Sequence, residues 1–323
     1  MGSRSDSSLA ALLLTQRLVE TPAAPLKASE YWALLDAVGD PAALLGLDAA
    51  AIGQAIGAAG VDADMAERLA QLLDAATAVA FQLDEAEQAG LRVLTSVDDD
   101  YPPALTGRLG RGAPPLLYLV GDAALLRGDL LGVVGSRDVD AAGVQVARDA
   151  AAQAVDHDHG VVSGAAKGVD RLAMTAALDA GGLAVGVLAE SLQRMTRDPE
   201  VRRAVGDGRL CLCTPYKPTA GFSVPNAMGR NKLIYALSAA TLVVAADHDR
   251  GGTWAGAVEA LRNGIAPVVA WTGDGGGPGN PALVDRGAHS LDDLGKLFPL
   301  PALQAGGGAT AGRRPSNQLT FDL

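Results

Sequence analysis

The sequence predicts an α/β fold with a doubly wound, mostly parallel sheet, preceded by a small all-helical domain. Three observations predict it: short apolar runs that alternate with helical patterns after residue 90, glycine-containing turns where those runs end, and purely helical spacing before residue 90. Hydrophobic residues make up 49% of the 323 residues, which is enough for a sizeable core. We expect a helical domain over 1–89, a sheet domain over 90–300 and a flexible tail over 301–323.

The apolar spacing in the first 89 residues predicts helices over about 9–18, 29–38 and 62–89, with Ser29 capping the second. Small capped helices are typical of SAM-like or helix-hairpin-helix-like bundles. Residues 1–100 hold 5 Lys and Arg against 16 Asp and Glu, which accounts for the whole net charge of −11. Because phosphate is attracted by positive charge close to it, this acidity favours a protein contact over direct DNA binding for this domain.

Apolar runs after residue 90 predict strands, and most of these runs lead into a helical pattern. The predicted strands cover 91–95, 116–120, 130–134, 160–163, 183–188, 210–213, 241–245 and 265–271. A long loop over 214–228, with three prolines, then leads to Arg230, Asn231 and Lys232, after which we expect a helix to begin. A loop of this length in a compact domain is usually functional.

The first turn of interest is Gly135-Ser136-Arg137, which follows the strand 130–134 and precedes a helix that begins near Ala141. A strand that ends at such a turn and feeds a helix is expected to present free backbone N–H groups, a hydroxyl and the positive helix end at one point. Arg137 adds a planar guanidinium suited to phosphate. The turn therefore predicts an anion site, although an ordinary turn with a solvated arginine is an open alternative.

The second turn repeats the pattern after the strand 160–163. Ser163 and Gly164 end that strand, Lys167 and Gly168 lie in the turn, and Asp170 is expected to cap the following helix by accepting from its first N–H groups. Two parallel strands that end in such turns would lie side by side, with both helix N-termini facing one crevice. The sequence therefore predicts one shared anion site built from both turns.

Several function classes are not expected. Cys211 and Cys213 lie two apart in an apolar run, so we expect buried thiols rather than a disulfide. No apolar run approaches 18 residues and no secretory signal is evident, so we expect a cytoplasmic protein without a membrane span. The sequence has no Walker loop, and His157 and His159 have no third metal ligand nearby, so we expect no ATP hydrolysis, no metal and no cofactor.

Ordered segments over about 90–300 resemble the DNA-processing protein A (DprA/Smf) family. They are Gly135-Ser-Arg137, Ser163-Gly-Ala-Ala-Lys-Gly-Val-Asp170, Ala177-Leu-Asp-Ala-Gly-Gly182 and Arg230-Asn231, with a prelude at Asp100-Tyr-Pro-Pro-Ala-Leu105 and Pro115-Leu-Leu-Tyr-Leu-Val-Gly121. The resemblance implies an extended Rossmann-like domain that binds single-stranded DNA without catalysis, forms a homodimer and hands the strand to a RecA-type recombinase during natural transformation.

By the same resemblance, a set of cations would contact backbone phosphate, with hydroxyl and N–H groups beside them. The cations are Arg137, Lys167, Arg230 and Lys232, and the other site residues are Gly135, Ser136, Ser163, Gly164, Gly168, Asp170, Asn231, Gly251, Gly252 and Thr253. The amide of Asn231 would contact a phosphate, a sugar or a base edge. No residue is assigned a catalytic role.

Three departures mark the chain as a divergent relative. Arg250-Gly-Gly-Thr-Trp254 stands where the family shows Ser-Gly-Ser-Leu, the segment before Arg230 lacks the customary Phe-Pro, and too little sequence follows Phe298 for the winged-helix domain that many members carry. Divergent members of the family also occur in phage-defence and toxin–antitoxin gene pairs. A defence role with a toxin partner is therefore an alternative to DNA delivery.

Two further classes stay open. The first is a nucleotide-sensing or nucleotide-hydrolysing protein of the phosphoribohydrolase type, which Gly251-Gly-Thr253 faintly resembles, although Glu259 is too far along the helix and Glu190 has no partner acid. The second is a pure protein-interaction role, in which the tail peptide Gln318–Leu323 would contact a bacterial sliding clamp. The aromatic residues Phe222, Tyr216 and Trp254 are candidates either for stacking on bases or for packing.

Overall fold

The computed structural model describes residues 4–57 and 62–302, and a nine-stranded sheet lies at the centre of that part. The strands are β1 (Arg92–Thr95), β2 (Leu116–Val120), β3 (Leu130–Val134), β4 (Gly160–Ser163), β5 (Ala184–Val187), β6 (Leu210–Thr214), β7 (Ala240–Val243), β8 (Val268–Trp271) and β9 (His289–Leu291). Their order across the sheet is β1-β2-β6-β5-β4-β3-β7-β8-β9. β2 pairs antiparallel with β1 and with β6, and every other neighbouring pair is parallel. The predicted doubly wound, mostly parallel sheet is confirmed.

Helices cover both faces of the sheet. Among the described residues the α-helices are α1 (Asp6–Thr15), α2 (Ala28–Val38), α3 (Ala49–Ile56), α4 (Ala63–Asp74), α5 (Ala76–Gln88), α6 (Pro103–Leu109), α7 (Ala141–Asp156), α8 (Val169–Asp179), α9 (Leu192–Met195), α10 (Pro199–Gly206), α11 (Val224–Leu237), α12 (Gly251–Asn263) and α13 (Asn280–Asp285). α7 and α8 pack on one face of the sheet, whereas α6, α11, α12 and α13 pack on the other. The alternation of β3 divides its side chains accordingly, with Val133 in the first layer and Val134 in the second.

The N-terminal helices α1 to α5 share one apolar cluster with the β1–β2 end of the sheet and with α7 and α8. Two hydrogen bonds reinforce this packing: the backbone N–H of Arg17 donates to the Tyr118 hydroxyl over 2.8 Å, and Trp32 Nε1 donates to the carbonyl of Ala113 over 2.7 Å. The division that we expect near residue 90 stays a prediction.

Two expectations for the N-terminal helices are wrong. Lys27 rather than Ser29 is the N-cap residue of α2, because the carboxylate of Glu30 accepts from the backbone N–H of Lys27 over 2.7 Å and thereby starts the helix two residues earlier. The single helix expected over 62–89 is two helices, α4 and α5, which meet at Ala75. The residues around Ala75 include no glycine or proline, so the local sequence does not signal this break.

The loop expected over 214–228 is shorter, because α11 begins at Val224. The Ser223 hydroxyl caps this helix by accepting from the N–H of Asn226, and Pro225 lies in the first turn, where its missing N–H costs nothing. Arg230 and its two successors therefore lie inside a helix rather than before one. The prediction failed because we interpreted Pro225 as a loop residue.

The predictions for the C-terminal tail cannot be compared with the structure. The sliding-clamp peptide Gln318–Leu323 and nearly all of the tail over 301–323 lie outside the described residues. Within the part of the chain that is described, none of the helices combines the length and the apolar character needed to cross a membrane.

The strand order places a topological switch point at β3. The chain builds the sheet from β3 towards β4, β5 and β6 on one side, and towards β7, β8 and β9 on the other. In an open sheet of this kind the connections diverge at the carboxyl ends of the two strands that flank the switch, which leaves a crevice there. The crevice between the ends of β3 and β7 is therefore where a ligand site is expected.

Candidate functional site

The turn after β3 leaves fewer free N–H groups than its sequence predicts. The N–H of Ser136 donates to the carbonyl of Ala245 over 2.9 Å, and the Ser136 hydroxyl accepts from the N–H of Asp138 over 3.2 Å. Asp140 caps α7 by accepting from the N–H of Gly143 over 2.8 Å. These N–H groups are therefore not free for an anion, and the anion site at this turn stays a prediction. The exposed side chain of Arg137 and the Ser136 hydroxyl are what the turn offers to a ligand.

The turn after β4 lies directly beside the first, as predicted, because β3 and β4 are parallel neighbours. The N–H of Val169 donates to the carbonyl of Ser136 over 3.3 Å. Gly168 has a φ of +89°, and a Cβ atom there would collide with the backbone of Ser136, so the contact between the turns requires glycine. The Ser163 hydroxyl is fully buried and donates to the carbonyl of Val133 over 2.6 Å.

Asp170 and Arg230 form a buried ion pair beneath these turns, 3.8 Å apart. Asp170 lies inside the first turn of α8 rather than at its N-cap, which is Gly168. The capping prediction is wrong. Burial raises the pKa of Asp170 and lowers the pKa of Arg230, while each partner opposes the shift of the other. Arg230 packs so closely on Gly164 that any side chain at that position would overlap its guanidinium.

Polar contacts also join α11 to α12. The side-chain amide of Asn231 donates to the carbonyl of Gly252 over 3.0 Å, and Lys232 forms an ion pair with Glu259 over 3.3 Å. The first turn of α12 begins at Gly251, and its N-cap residue, Arg250, makes no side-chain capping hydrogen bond. The N-terminal N–H groups of α12 are therefore left to a ligand or to solvent.

These elements enclose a cavity of about 450 Å³ at the switch point. The predicted site residues that line it are Gly135, Ser136, Arg137, Asp170, Arg230, Asn231, Gly251, Gly252 and Thr253. Those that lie outside its lining are Ser163, Gly164, Lys167, Gly168 and Lys232. Lys167 lies instead in a neighbouring cleft between α7 and α8, which Arg137 also lines. The structure thus brings most of the set together and separates Lys167 and Lys232 from it.

Phe222 and Arg137 form the mouth of this cavity. The guanidinium carbon of Arg137 lies 4.9 Å from the centre of the Phe222 ring, and Phe222 is 50% exposed. Tyr216 and Trp254 are buried, the first with its hydroxyl donating to the carbonyl of Asn226 and the second beneath the guanidinium of Arg286. Of the three aromatic candidates, Phe222 alone is exposed, and the guanidinium of Arg137 lies over its ring.

Arg250 is a lining residue that sequence reasoning missed. Its side chain is exposed, it lines the cavity as Arg137 does, and neither arginine forms an ion pair with a described residue. The signal was present, since Arg250 directly precedes the Gly251 turn that we singled out. An exposed residue before a helix has no pattern of its own, however, and its role depends on where the β7–α12 connection lies.

The acidic residues named for a hydrolase lie elsewhere. Glu259 is paired with Lys232, Glu190 is paired with Arg194, and neither lines the cavity. The carboxylates that do line it are Asp170, which is engaged with Arg230, and the exposed Asp247. Across residues 4–57 and 62–302, no group of three or more His, Cys, Asp or Glu side chains is arranged to hold a metal ion.

Comparison with known proteins agrees with this fold and motif set. The family model of DNA recombination-mediator protein A matches residues 92–299. This chain belongs to that family. The match begins at β1 and extends beyond β9, so it covers the whole sheet and both turns. The resemblance derived from the sequence motifs is confirmed.

Members of the family with curated sequences are moderately similar to the chain. A DNA-processing protein DprA of Mycobacterium tuberculosis is 32% identical over 201 residues, which covers 56% of this chain and 46% of that protein. The DprA of Bacillus subtilis is 27% identical over 191 residues, which covers 57% of this chain and 63% of that protein. The chain thus spans roughly half of the length of these relatives.

Two solved structures of the family share the fold. DprA from Streptococcus pneumoniae superposes with a TM-score of 0.63 at 24% identity, covering 91% of this chain and 96% of that one. DprA from Helicobacter pylori superposes with a TM-score of 0.53 at 21% identity, covering 64% of this chain and 92% of that one. The second structure concerns the single-stranded DNA binding mode of the H. pylori protein. Both support the Rossmann-like fold.

Proposed function

We propose that this chain is a single-stranded DNA-binding protein that acts in DNA processing without catalysing a reaction. The cavity at the switch point takes a segment of the strand, with backbone phosphate on Arg137 and Arg250 and a base on Phe222. Membership of the family supports this function, as does the single-stranded DNA binding of the H. pylori relative.

The observation that carries the proposal is the Arg137–Phe222 pair at the cavity mouth. Single-stranded nucleic acid is held by cations that follow its backbone and by aromatic rings on which bases stack. Arg137 and Phe222 supply one of each within 4.9 Å, and both side chains are exposed. A buried ring could not stack on a base, and an arginine already paired with a carboxylate would bind phosphate less well.

Local charge supports the same binding mode in an acidic protein. The net charge of −11 belongs to residues 1–100, whereas Arg137 and Arg250 both line the cavity and have no carboxylate partner among the described residues. The open N-terminus of α12 adds its partial positive charge beside them. Phosphate attraction acts over roughly 8–10 Å at ordinary ionic strength. The cavity lining includes none of residues 1–100, and its one exposed carboxylate, Asp247, is outnumbered by the two exposed arginines.

The hydrolase alternative is not favoured. The glutamates that we considered for a base-releasing reaction lie outside the pocket, and each is paired with a cation. By family resemblance, the proposal extends to a homodimer, to delivery of the strand to a RecA-type recombinase, and to a defence role with a toxin partner. These extensions rest on the family alone.

A salt-dependent titration with oligo(dT) of about 16 nucleotides tests the proposal. Arg137→Ala removes a phosphate contact, so the slope of log K against log salt is expected to fall by about 0.7. Phe222→Ala removes stacking, so affinity is expected to drop by about 1–3 kcal/mol with the slope unchanged. Fluorescence anisotropy at several salt concentrations between about 50 and 200 mM separates the two effects.

Arg202→Ala is the matched control, because Arg202 is an exposed arginine on α10 that lies outside the cavity lining. It should leave both slope and affinity as in the parent. If Arg137→Ala and Arg202→Ala behave alike, or if the parent does not bind the oligonucleotide, the proposed site is wrong.

A further inference from the structure

A second, larger cleft adjoins the cavity, between α7 and α8. Its volume is about 710 Å³, and its floor is formed by apolar side chains that include Val144, Leu172 and Ala176. Arg137 lines this cleft as well as the cavity, so the two openings meet at that side chain. A linear polymer bound at Arg137 can therefore extend into the cavity on one side and into the cleft on the other.

The cleft is lined by four cations: Arg137, Arg148, Lys167 and Arg171. The last three are exposed, and within the described residues no carboxylate lies within ion-pair distance of them. The acids in the same lining are Asp149, which accepts a hydrogen bond from Gln145 over 2.7 Å, and Asp179, at the last residue of α8. The cleft thus carries an excess of positive charge.

Residues 101–323 are neutral overall, with 21 Lys and Arg against 21 Asp and Glu, yet the lining of this groove holds four cations and two acids. A concave surface lined by one sign of charge focuses the field and concentrates ligands of opposite charge. A polyanion that spans the groove relieves the repulsion among the four cations.

We infer that the cleft between α7 and α8 carries the continuation of the same DNA strand, as an electrostatic track that begins at Arg137. This inference rests on the proposed function, since it takes the strand at the cavity as its starting point. Arg148 and Arg171 contact backbone phosphate in the track, with Lys167 beside them. The groove offers no aromatic ring in its lining, so it binds the backbone without selecting bases.

The test is a titration of the full chain with two oligo(dT) ligands, one of about 4 nucleotides, the shortest common site size, and one of about 16 that spans both the cavity and the cleft. Arg148→Gln/Arg171→Gln removes both charges but keeps long polar side chains at two exposed positions. We expect the salt slope for the long ligand to fall by about 1.4, and that for the short ligand to stay unchanged.

The control is Arg202→Gln/Arg203→Gln, which removes the same charge from exposed positions on α10. An equal fall for both double variants, an equal fall for both ligands, or no fall at all would overturn the track. If the parent protein binds neither oligonucleotide, the proposed function itself fails. If the parent binds both oligonucleotides and the Arg148/Arg171 variant keeps its salt slope, the inference about the cleft is wrong, whereas the proposed function stands.

Discussion

At the scale of single residues, the pair of Asp170 and Arg230 decides how the floor of the cavity is built. Asp170, at the start of α8, lies 3.8 Å from Arg230, so the pair joins the turn after β4 to the middle of α11. The sequence could place Asp170 at the start of a helix. It could not show that the partner is Arg230, because that contact depends on how α11 crosses the sheet.

A double-mutant cycle on this pair is expected to show strong coupling. Asp170→Asn and Arg230→Met should each lower the free energy of unfolding by about 3–5 kcal/mol, since each leaves a buried group without its charged partner. The double variant should lose clearly less than the sum, because no unpaired charge remains. Urea unfolding measures all four proteins, and losses that add to within about 0.5 kcal/mol would show that the two residues act independently.

At the scale of elements, the fit between the two strand-to-helix turns was only partly predictable. Two neighbouring strands and two turns were predicted from the apolar runs 130–134 and 160–163 and from the glycines that follow them. The interlocking contacts were not visible: Val169 packs against Gly135, and the N–H of Ser136, which looked free, donates to the carbonyl of Ala245. For α11 the local signals were misinterpreted, because Pro225 is compatible with both a loop and a first helical turn.

Gly135→Ala is expected to destabilise the protein by about 1–3 kcal/mol through overpacking. An added Cβ would lie 2.6 Å from Cγ2 of Val169, so that side chain or the turn must move. Val169→Ala in the same chain should restore part of the loss. Gly107→Ala in α6 is the control, since no atom lies within 4 Å of its Cβ position, and it should not destabilise. A neutral Gly135→Ala in thermal unfolding would contradict this packing.

At the scale of the whole molecule, the sequence predicted the fold class and the family, while the shape of the binding surface needed the structure. Composition and the alternation of strands with helices depend on many residues. The wrong N-cap at Ser29 and the missed helix break at Ala75 therefore did not change the predicted architecture. The surface depends on a few positions that distant segments bring together. Arg250 and Phe222 meet Arg137 only because the ends of β3 and β7 flank the switch point.

Charge is also divided at this scale, with the acidic excess in residues 1–100 and the unpaired arginines at the switch point. A strand that binds as proposed should contact the face formed by the β3–α7 turn and the start of α11 and α12, and should avoid the N-terminal helices. Where the strand touches the protein is therefore the central question.

The most direct measurement is photo-crosslinking with oligo(dT) that carries one 5-iodo-deoxyuridine, followed by mass spectrometry of the crosslinked peptides. Stacking on Phe222 predicts an adduct on the peptide that contains this residue, and loss of that adduct in Phe222→Leu. Adducts confined to α1–α5, or an unchanged adduct pattern in Phe222→Leu, would contradict binding at the switch-point cavity.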